Sequence, residues 1–199
     1  MISKPYAADF TLNGKKAVIT GAASGIGYAT ARLFSEKGAQ VCLLDRNPQA
    51  LQNAASSIPG SFSCSADVAD YDHVNRTIQT IVKEHGDIDV LVHCAGIGDI
   101  ERAEDFDEKT WRKVIDVNLT GSFFMAQAVG KQMIQAGNGG KIICMASQAG
   151  IVAIDRHVAY SASKAGIISM VKSLAYEWGR YGIQVNAISP TATETPIIV

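Results

Sequence analysis

The feature that most constrains the fold is an alternation of two kinds of apolar segment. Short runs rich in Val, Ile and Cys lie at 17–20, 41–45, 62–66, 90–94, 142–146 and 183–189. Longer segments with helical spacing lie at 25–37, 48–57, 71–84, 108–135 and 157–178. Strands that alternate with helices favour right-handed crossovers and a parallel sheet covered on both faces. We therefore predict an α/β fold: a doubly wound parallel sheet in three layers, α/β/α.

The length and the charge of the chain restrict its domain organisation and the classes of partner that it can bind. At 199 residues, the chain can bury roughly 70% of its unfolded surface in one core, so we expect residues 1–199 to form a single domain. Eighteen basic and nineteen acidic residues give a net charge of -1, and their scatter argues against nucleic acid or a membrane surface as partner. No apolar stretch approaches membrane-spanning length. We expect a small-molecule substrate and a cytoplasmic protein.

The four cysteines, at positions 42, 64, 94 and 144, have no C-x-x-C spacing. Each lies in or beside a predicted strand, so we expect buried reduced thiols and no metal site.

Two predicted helices, 108–135 and 157–178, are apolar over more of their circumference than one sheet face requires. Part of this surface is expected to meet another subunit. The hypothesis is an isologous, helix-packed homodimer, or a homotetramer built from such dimers.

A glycine-rich turn joins the first predicted strand to the first predicted helix. Gly21 permits the tight turn, Gly25 lets the backbone approach a pyrophosphate, and Gly27 lets helix and strand pack closely. Free amides and the helix dipole can then hold the anion. The turn predicts a Rossmann-like dinucleotide site whose contacts come from Gly21, Ser24, Gly25, Ile26 and Gly27.

The second strand ends in an acidic residue that bears on the choice of cofactor. Asp45 follows Gly27 by eighteen positions, where a carboxylate can accept hydrogen bonds from the adenosine ribose and repels a 2′-phosphate. This favours NAD over NADP, although the adjacent Arg46 could turn toward a phosphate.

Two further strand ends can contact the cofactor. Asp67 and Val68 could bind the adenine edge through side chain and backbone, or Asp67 could simply cap the next helix. The small Ala95 and Gly96 would let the cofactor lie against the end of the fourth strand.

The candidate chemistry centres on a tyrosine and a lysine one helical turn apart. Tyr160 and Lys164 share a helix face, and an ammonium beside a phenol lowers its pKa from about 10, which improves acid and base catalysis. Ser147, thirteen residues before Tyr160, could face it across the sheet edge or could be an ordinary turn residue. Asn118, inside an apolar helical segment, needs either a structural partner or a special reason.

Together these motifs resemble the short-chain dehydrogenase/reductase family in identity and order over nearly the whole chain. The resemblance implies hydride transfer between a nicotinamide and a carbon that bears a hydroxyl or carbonyl. It implies that Tyr160 is the acid/base, that Lys164 binds the nicotinamide ribose and lowers the Tyr160 pKa, and that Ser147 orients the substrate oxygen. By the same resemblance, Asn118 would hold a water that links Lys164 to solvent.

The chain departs from the family pattern at several points. The usual N-N-A-G is here His93-Cys94-Ala95-Gly96, which leaves the side-chain roles of its first two positions open. Pro190-Thr191 stands where Pro-Gly is frequent, with Pro190 still expected near the cofactor, and Thr195 is a candidate for the nicotinamide carboxamide. Relatives usually continue with a lid, a helix and a last strand, which we expect to be missing here.

The substrate is the least constrained expectation. Segments 145–150 and 155–160 look like those of polyol and sugar-alcohol dehydrogenases. Gln148 and His157 could bind additional hydroxyls, or could be a loop amide and a helix-start histidine. The alternatives are an NADPH-dependent 3-oxoacyl thioester reductase and a non-catalytic dinucleotide-binding sensor.

Overall fold

A computed structural model describes residues 10–193. Six parallel strands form one sheet in the order β3-β2-β1-β4-β5-β6, so the predicted α/β parallel fold is confirmed. The strands are β1 (Lys16–Thr20), β2 (Gln40–Asp45), β3 (Phe62–Ser65), β4 (Val90–His93), β5 (Gly140–Met145) and β6 (Ile183–Ile188). The helices are α1 (Gly25–Glu36), α2 (Pro48–Ser56), α3 (Tyr71–His85), α4 (Glu108–Ile115), α5 (Gly121–Ala136) and α6 (Val158–Trp178).

Two apolar cores lie on the two faces of the sheet, because successive strand residues point to opposite sides. On one face, Ile19 and Leu43 pack with residues of α1 and α2 such as Ala31 and Leu51. The other core contains, from the strands, Val18, Leu44, Leu91 and Ile142, and from α3, α5 and α6, Ile78, Met125 and Ile167. The protein therefore has the three layers that the sequence pattern predicts.

The segment predicted over 108–135 is helical throughout, but its hydrogen-bond pattern changes in the middle. The segment divides into α4, a π-helical segment at Asp116–Thr120, and α5. Asn118 lies inside the π-helical segment and is fully buried. Its side chain bonds the backbone of Ile97, and we attribute the interruption to this inward amide, since π-helical turns widen a helix locally.

Strand β5 begins two residues before the run predicted at 142–146. Gly140 already belongs to β5, where it pairs with Ile183 of β6. Its amide donates to the carbonyl of Gly182 at 3.3 Å, and this neighbouring acceptor extends the strand.

The apolar surface of α5 and α6 is largely used inside the chain. Met125, Val129 and Met133 are buried in the core. Gly130 faces the indole of Trp178 so closely that a Cβ there would lie 2.6 Å from Cζ3. Most of the apolar circumference from which a subunit interface was predicted is therefore packed within the chain.

Within residues 10–193, no helix is both long and apolar enough to cross a lipid bilayer. The same part of the chain holds no cluster of three or more His, Cys, Asp or Glu side chains that could bind a metal. All four cysteines are free thiols, with Cys42 and Cys144 buried and Cys64 and Cys94 partly exposed.

Candidate active site

A cavity of about 860 Å³ opens at the carboxyl ends of the strands. In a doubly wound sheet this edge is where ligands bind. Asn118 does not line the cavity, and Thr195 lies outside the described residues. The predicted site residues that line it are Gly21, Ser24, Gly25, Ile26, Gly27, Asp45, Asp67, Val68, Ala95, Gly96, Ser147, Gln148, Tyr160, Lys164 and Pro190.

The glycine-rich turn between β1 and α1 has the conformation and space that only glycine satisfies. Gly21 and Gly25 have φ values of 62° and 54°, the left-handed region that side chains disfavour. A Cβ at Gly27 would lie 2.3 Å from the carbonyl oxygen of Gly21, and one at Gly21 would lie 2.9 Å from the amide nitrogen of Ala95. The turn therefore brings backbone close to the end of β4.

The first turn of α1 differs from those of three other helices. Asn47, Asp70 and Asp107 each accept a hydrogen bond from a first-turn amide of α2, α3 and α4. Ser24, at the start of α1, makes no such side-chain bond. The first-turn amides of α1 face the cavity and are available to an anion, which the helix dipole also favours.

The Thr20 hydroxyl connects the end of β1 to the end of β4 through hydrogen bonds. Its Oγ1 accepts hydrogen bonds from the amides of Cys94 and Ala95, both at 3.1 Å, and lies 2.9 Å from Nδ1 of His93. Because Oγ1 already accepts two bonds, its own proton is donated to Nδ1, and the imidazole proton sits on Nε2. His93 thus holds this junction, although the sequence alone left its role open.

His93 is buried, and its Nε2 has no hydrogen-bond partner among the described residues. Burial, with a smaller contribution from the Lys164 charge, lowers the pKa of His93 to about 3. The imidazole is therefore neutral in the folded protein under ordinary conditions.

Two acidic residues lie where the sequence places the adenosine half of a dinucleotide. Asp45 accepts hydrogen bonds from the amides of Ala23 at 3.3 Å and Asn47 at 3.1 Å. Asp67 accepts from the amide of Ala69 at 3.0 Å. The reading of Asp67 as the cap of the next helix is wrong, because Asp70 caps α3.

Ser147, Tyr160 and Lys164 come together because β5 and α6 meet at the sheet edge. A short turn after Ser147 packs on α6, and at Gly150 a Cβ would lie 2.7 Å from the carbonyl carbon of Lys164. Lys164 donates from Nζ to the carbonyl of Met145 at 2.7 Å. The same nitrogen lies 5.5 Å from the centre of the Tyr160 ring.

Lys164 is only 4% exposed. Burial lowers the pKa of Lys164 to about 8, and the neighbouring thiols Cys94 and Cys144 oppose this change. Burial likewise raises the pKa of both thiols to about 12. These cysteines are therefore protonated, and neither is an ionic partner of the ammonium at neutral pH.

Asn118 does not line the cavity, but its side chain hydrogen-bonds to Ile97, which does, and to Ser163. Its Oδ1 accepts from the Ile97 amide at 2.8 Å, and its Nδ2 donates to the Ile97 carbonyl at 2.9 Å and to Ser163 Oγ at 3.1 Å. Ser163 in turn donates to the carbonyl of Tyr160 at 2.7 Å. The sequence analysis missed Ser163, whose signal is its position three residues after Tyr160, where a serine reaches back along a helix.

Comparison with known proteins agrees with this arrangement. The short chain dehydrogenase family matches residues 15–198. The NAD-dependent glycerol dehydrogenase of Listeria innocua is 48% identical over 99% of the chain and 78% of that protein. The D-threitol dehydrogenase of Mycolicibacterium smegmatis is 45% identical over 95% of the chain and 74% of that protein.

A solved structure shares the fold. The gluconate 5-dehydrogenase of Burkholderia cenocepacia, determined with NADP and tartrate, superposes with a TM-score of 0.91 at 34% identity, over 95% of this chain and 75% of that one. The fold and site thus define a nicotinamide-dependent oxidoreductase that acts on alcohol groups. The chain belongs to the short-chain dehydrogenase/reductase family.

The neutral, buried His93 predicts an acid-sensitive fold. The unfolded chain takes up a proton at His93 near pH 6.5, whereas the folded protein does not until about pH 3. Unfolded protein therefore binds more protons in this interval, and the free energy of unfolding falls by up to about 1.4 kcal/mol per pH unit below 6.5. Urea unfolding of His93→Asn between pH 7 and 4.5 should show a shallower dependence than the wild type.

The matched control is His85→Asn, because His85 is partly exposed and stacks on Phe62 outside this network. That variant should keep the wild-type pH dependence. Equal slopes for His93→Asn and the wild type would contradict the assignment of a neutral imidazole.

Proposed function

We propose that the chain oxidises a secondary hydroxyl of a polyol or sugar alcohol with NAD as hydride acceptor. The observation that carries this proposal is Lys164, held between the Met145 carbonyl and the Tyr160 ring inside the cavity. The names of the glycerol and threitol dehydrogenase relatives support the substrate class. The same names do not favour a thioester reductase.

The residues present fit a dinucleotide. The uncapped first turn of α1 would hold the diphosphate, Asp45 the adenosine ribose, and Asp67 with Val68 the adenine. Ala95, Gly96 and Pro190 would lie along the nicotinamide half, with Thr195 as a further candidate. When bound, the cofactor supplies the hydride acceptor.

The reacting groups of the protein then have separate roles. Tyr160 takes the hydroxyl proton as the substrate carbon is oxidised, and Ser147, whose Oγ accepts only the Ala149 amide in the described structure, donates a hydrogen bond to the substrate oxygen. The Lys164 ammonium stabilises the negative charge on the phenol oxygen and has two N–H donors left, beyond the one used by Met145, for the nicotinamide ribose.

The proton must then leave the buried site. We keep the proposal that Asn118 holds a water connecting Lys164 to solvent. Both Nδ2 donors of Asn118 are used by Ile97 and Ser163, so such a water would donate to a remaining oxygen lone pair. Gln148 and His157 line the cavity and are proposed to bind further hydroxyls of the substrate.

Asp45 supports NAD as the preferred cofactor. Its two oxygens accept hydrogen bonds from the backbone amides of Ala23 and Asn47, and a carboxylate held in this way repels a 2′-phosphate. Arg46 also lines the cavity and is the group that could weaken the preference. Because the related gluconate 5-dehydrogenase was solved with NADP, the choice is open to experiment in this family.

An exposed aromatic patch supports a homodimer as the basic assembly, or a homotetramer. The patch consists of Tyr71, Phe123 and Phe124. The ring centroid of Phe124 lies 5.1 Å from that of Tyr71 and 6.4 Å from that of Phe123. Tyr71 is 43% exposed and Phe123 is 38% exposed. Contiguous exposed aromatic side chains are typical of protein interfaces.

Residues 1–199 are proposed to form one domain. The cytoplasm is the proposed compartment, because it keeps thiols such as the four free cysteines reduced.

Replacing Tyr160 with Phe should abolish turnover while cofactor binding remains. Loss of the proton acceptor should lower kcat by at least about a hundredfold, the lower range for general acid–base catalysis. Turnover is followed by nicotinamide absorbance with glycerol, threitol and sorbitol, and NADH binding by fluorescence. The control is Tyr176→Phe on the same helix, because Tyr176 is 91% exposed.

Retained activity in Tyr160→Phe would contradict the catalytic assignment. A wild type that binds NADH yet turns over no substrate would instead favour the alternative of a dinucleotide-binding sensor.

Replacing Asp45 with Asn should shift cofactor preference. Removing the negative charge should lower the NAD/NADP ratio of kcat/KM by about tenfold, equivalent to one modest charge interaction. The control is Asp87→Asn, which removes the same charge outside the residues that line the cavity. A wild type that prefers NADP would refute the role given to Asp45.

Sedimentation velocity at micromolar concentration should show a dimer or larger assembly. Phe123→Glu should shift it toward monomer, because a carboxylate is costly in an apolar interface, whereas Tyr176→Glu should not. A monomeric wild type would rule the interface out.

A further inference from the structure

The substrate end of the cavity is bounded by two segments that pair with each other. The amide of Glu101 donates to the carbonyl of Arg156 at 3.0 Å, and Glu101 forms a parallel bridge with His157. The segment after β4 therefore runs beside the segment that enters α6, three residues before Tyr160. Asp99 and His157 line the cavity from these two segments.

Asp99 is half-buried and held in place. Its Oδ1 accepts a hydrogen bond from the amide of Ile100 at 2.8 Å. This bond occupies Oδ1 and leaves Oδ2 to accept from a hydroxyl. A carboxylate has no donor when ionised, so it selects substrates that donate hydrogen bonds.

At the substrate end of the cavity, the negative charge of Asp99 is not balanced by a positive one among the described residues. The other charged residues that line the cavity within 10–193 are Arg46, Asp45 and Asp67 at the ends of β2 and β3, and Lys164. Lys164 is buried and bonded to Met145, and in the proposed function its remaining donors serve the cofactor. Asp99 is therefore the uncompensated charge on the substrate side of the described cavity.

Arg156, a cation on one of the paired segments, forms an ion pair outside the cavity. Arg156 has a left-handed backbone with φ 57°, which places its carbonyl on Glu101. Its guanidinium Nε lies 3.4 Å from Asp155 Oδ2 and its side chain is 54% exposed. Arg156 does not line the cavity, and among the described residues the one arginine that does is Arg46, at the end of β2.

We propose that Asp99 is a specificity-determining residue that makes the site select uncharged polyols over sugar acids of the same length. Its carboxylate accepts a hydrogen bond from a substrate hydroxyl beyond the reacting carbon and repels a substrate carboxylate at that position. This inference rests on the proposed function, because it concerns the substrate of the same reaction.

The test measures kcat/KM with NAD for matched pairs: glycerol against glycerate, threitol against threonate, and sorbitol against gluconate. The wild type should favour the polyol. Asp99→Asn should lower the polyol-to-acid ratio by about tenfold or more, the size expected for loss of one unfavourable charge contact, chiefly by raising kcat/KM for the acid. Asp99→Ser provides a second variant if the first fails to fold, as judged by thermal unfolding.

The matched control is Glu101→Gln, which removes a negative charge two residues away on a side chain that does not line the cavity. Its polyol-to-acid ratio should equal that of the wild type. A wild type that oxidises none of the polyols would refute the proposed function. A wild type that oxidises polyols and acids equally well, or an unchanged ratio in the Asp99 variants, would overturn the role of Asp99 alone.

Discussion

The buried ammonium of Lys164 is the constraint on which the rest of the site depends. An ammonium removed from water costs several kcal/mol unless polar groups surround it, and here the acceptor is the carbonyl at the end of β5. This contact requires α6 to cross the end of that strand closely, which Gly150 allows by having no side chain. The lysine, the tyrosine one turn earlier and the serine after β5 are consequently placed by one packing contact.

The fold could be predicted from the sequence because short runs rich in Val, Ile and Cys alternate along the chain with longer segments of helical composition. Strand ends differed by one or two residues where a neighbouring strand supplied an acceptor, as the Gly182 carbonyl does for Gly140. The division of the 108–135 segment could not be predicted. Periodicity reports which face is apolar, whereas the π-helical segment depends on the bond between Asn118 and Ile97, which are twenty-one positions apart.

In the site, likewise, some features follow from local sequence motifs and others depend on contacts between residues far apart in the chain. The glycine turn and the Tyr160–Lys164 pair are local patterns, and the structure places both at the cavity. The bond between Thr20 and His93 joins residues seventy-three positions apart and requires β1 and β4 to be neighbours, which spacing along the chain does not specify. The capping residue of α3 could not be predicted from local sequence either. Asp67 and Asp70 are equally good capping residues, and only the backbone path decides that Asp70 is the cap.

The beginning of α1 shows where the chain gives up stability for binding. A capping side chain contributes about 1 kcal/mol to a helix, and α2, α3 and α4 each have one. Ser24 could provide the same bond but does not, and the adjacent glycines add a cost in conformational entropy. Both costs fall on a helix whose first-turn residues Gly25, Ile26 and Gly27 line the cavity. An anionic cofactor group that accepts from these amides would supply the missing cap, so cofactor binding and the stability of α1 are expected to be coupled.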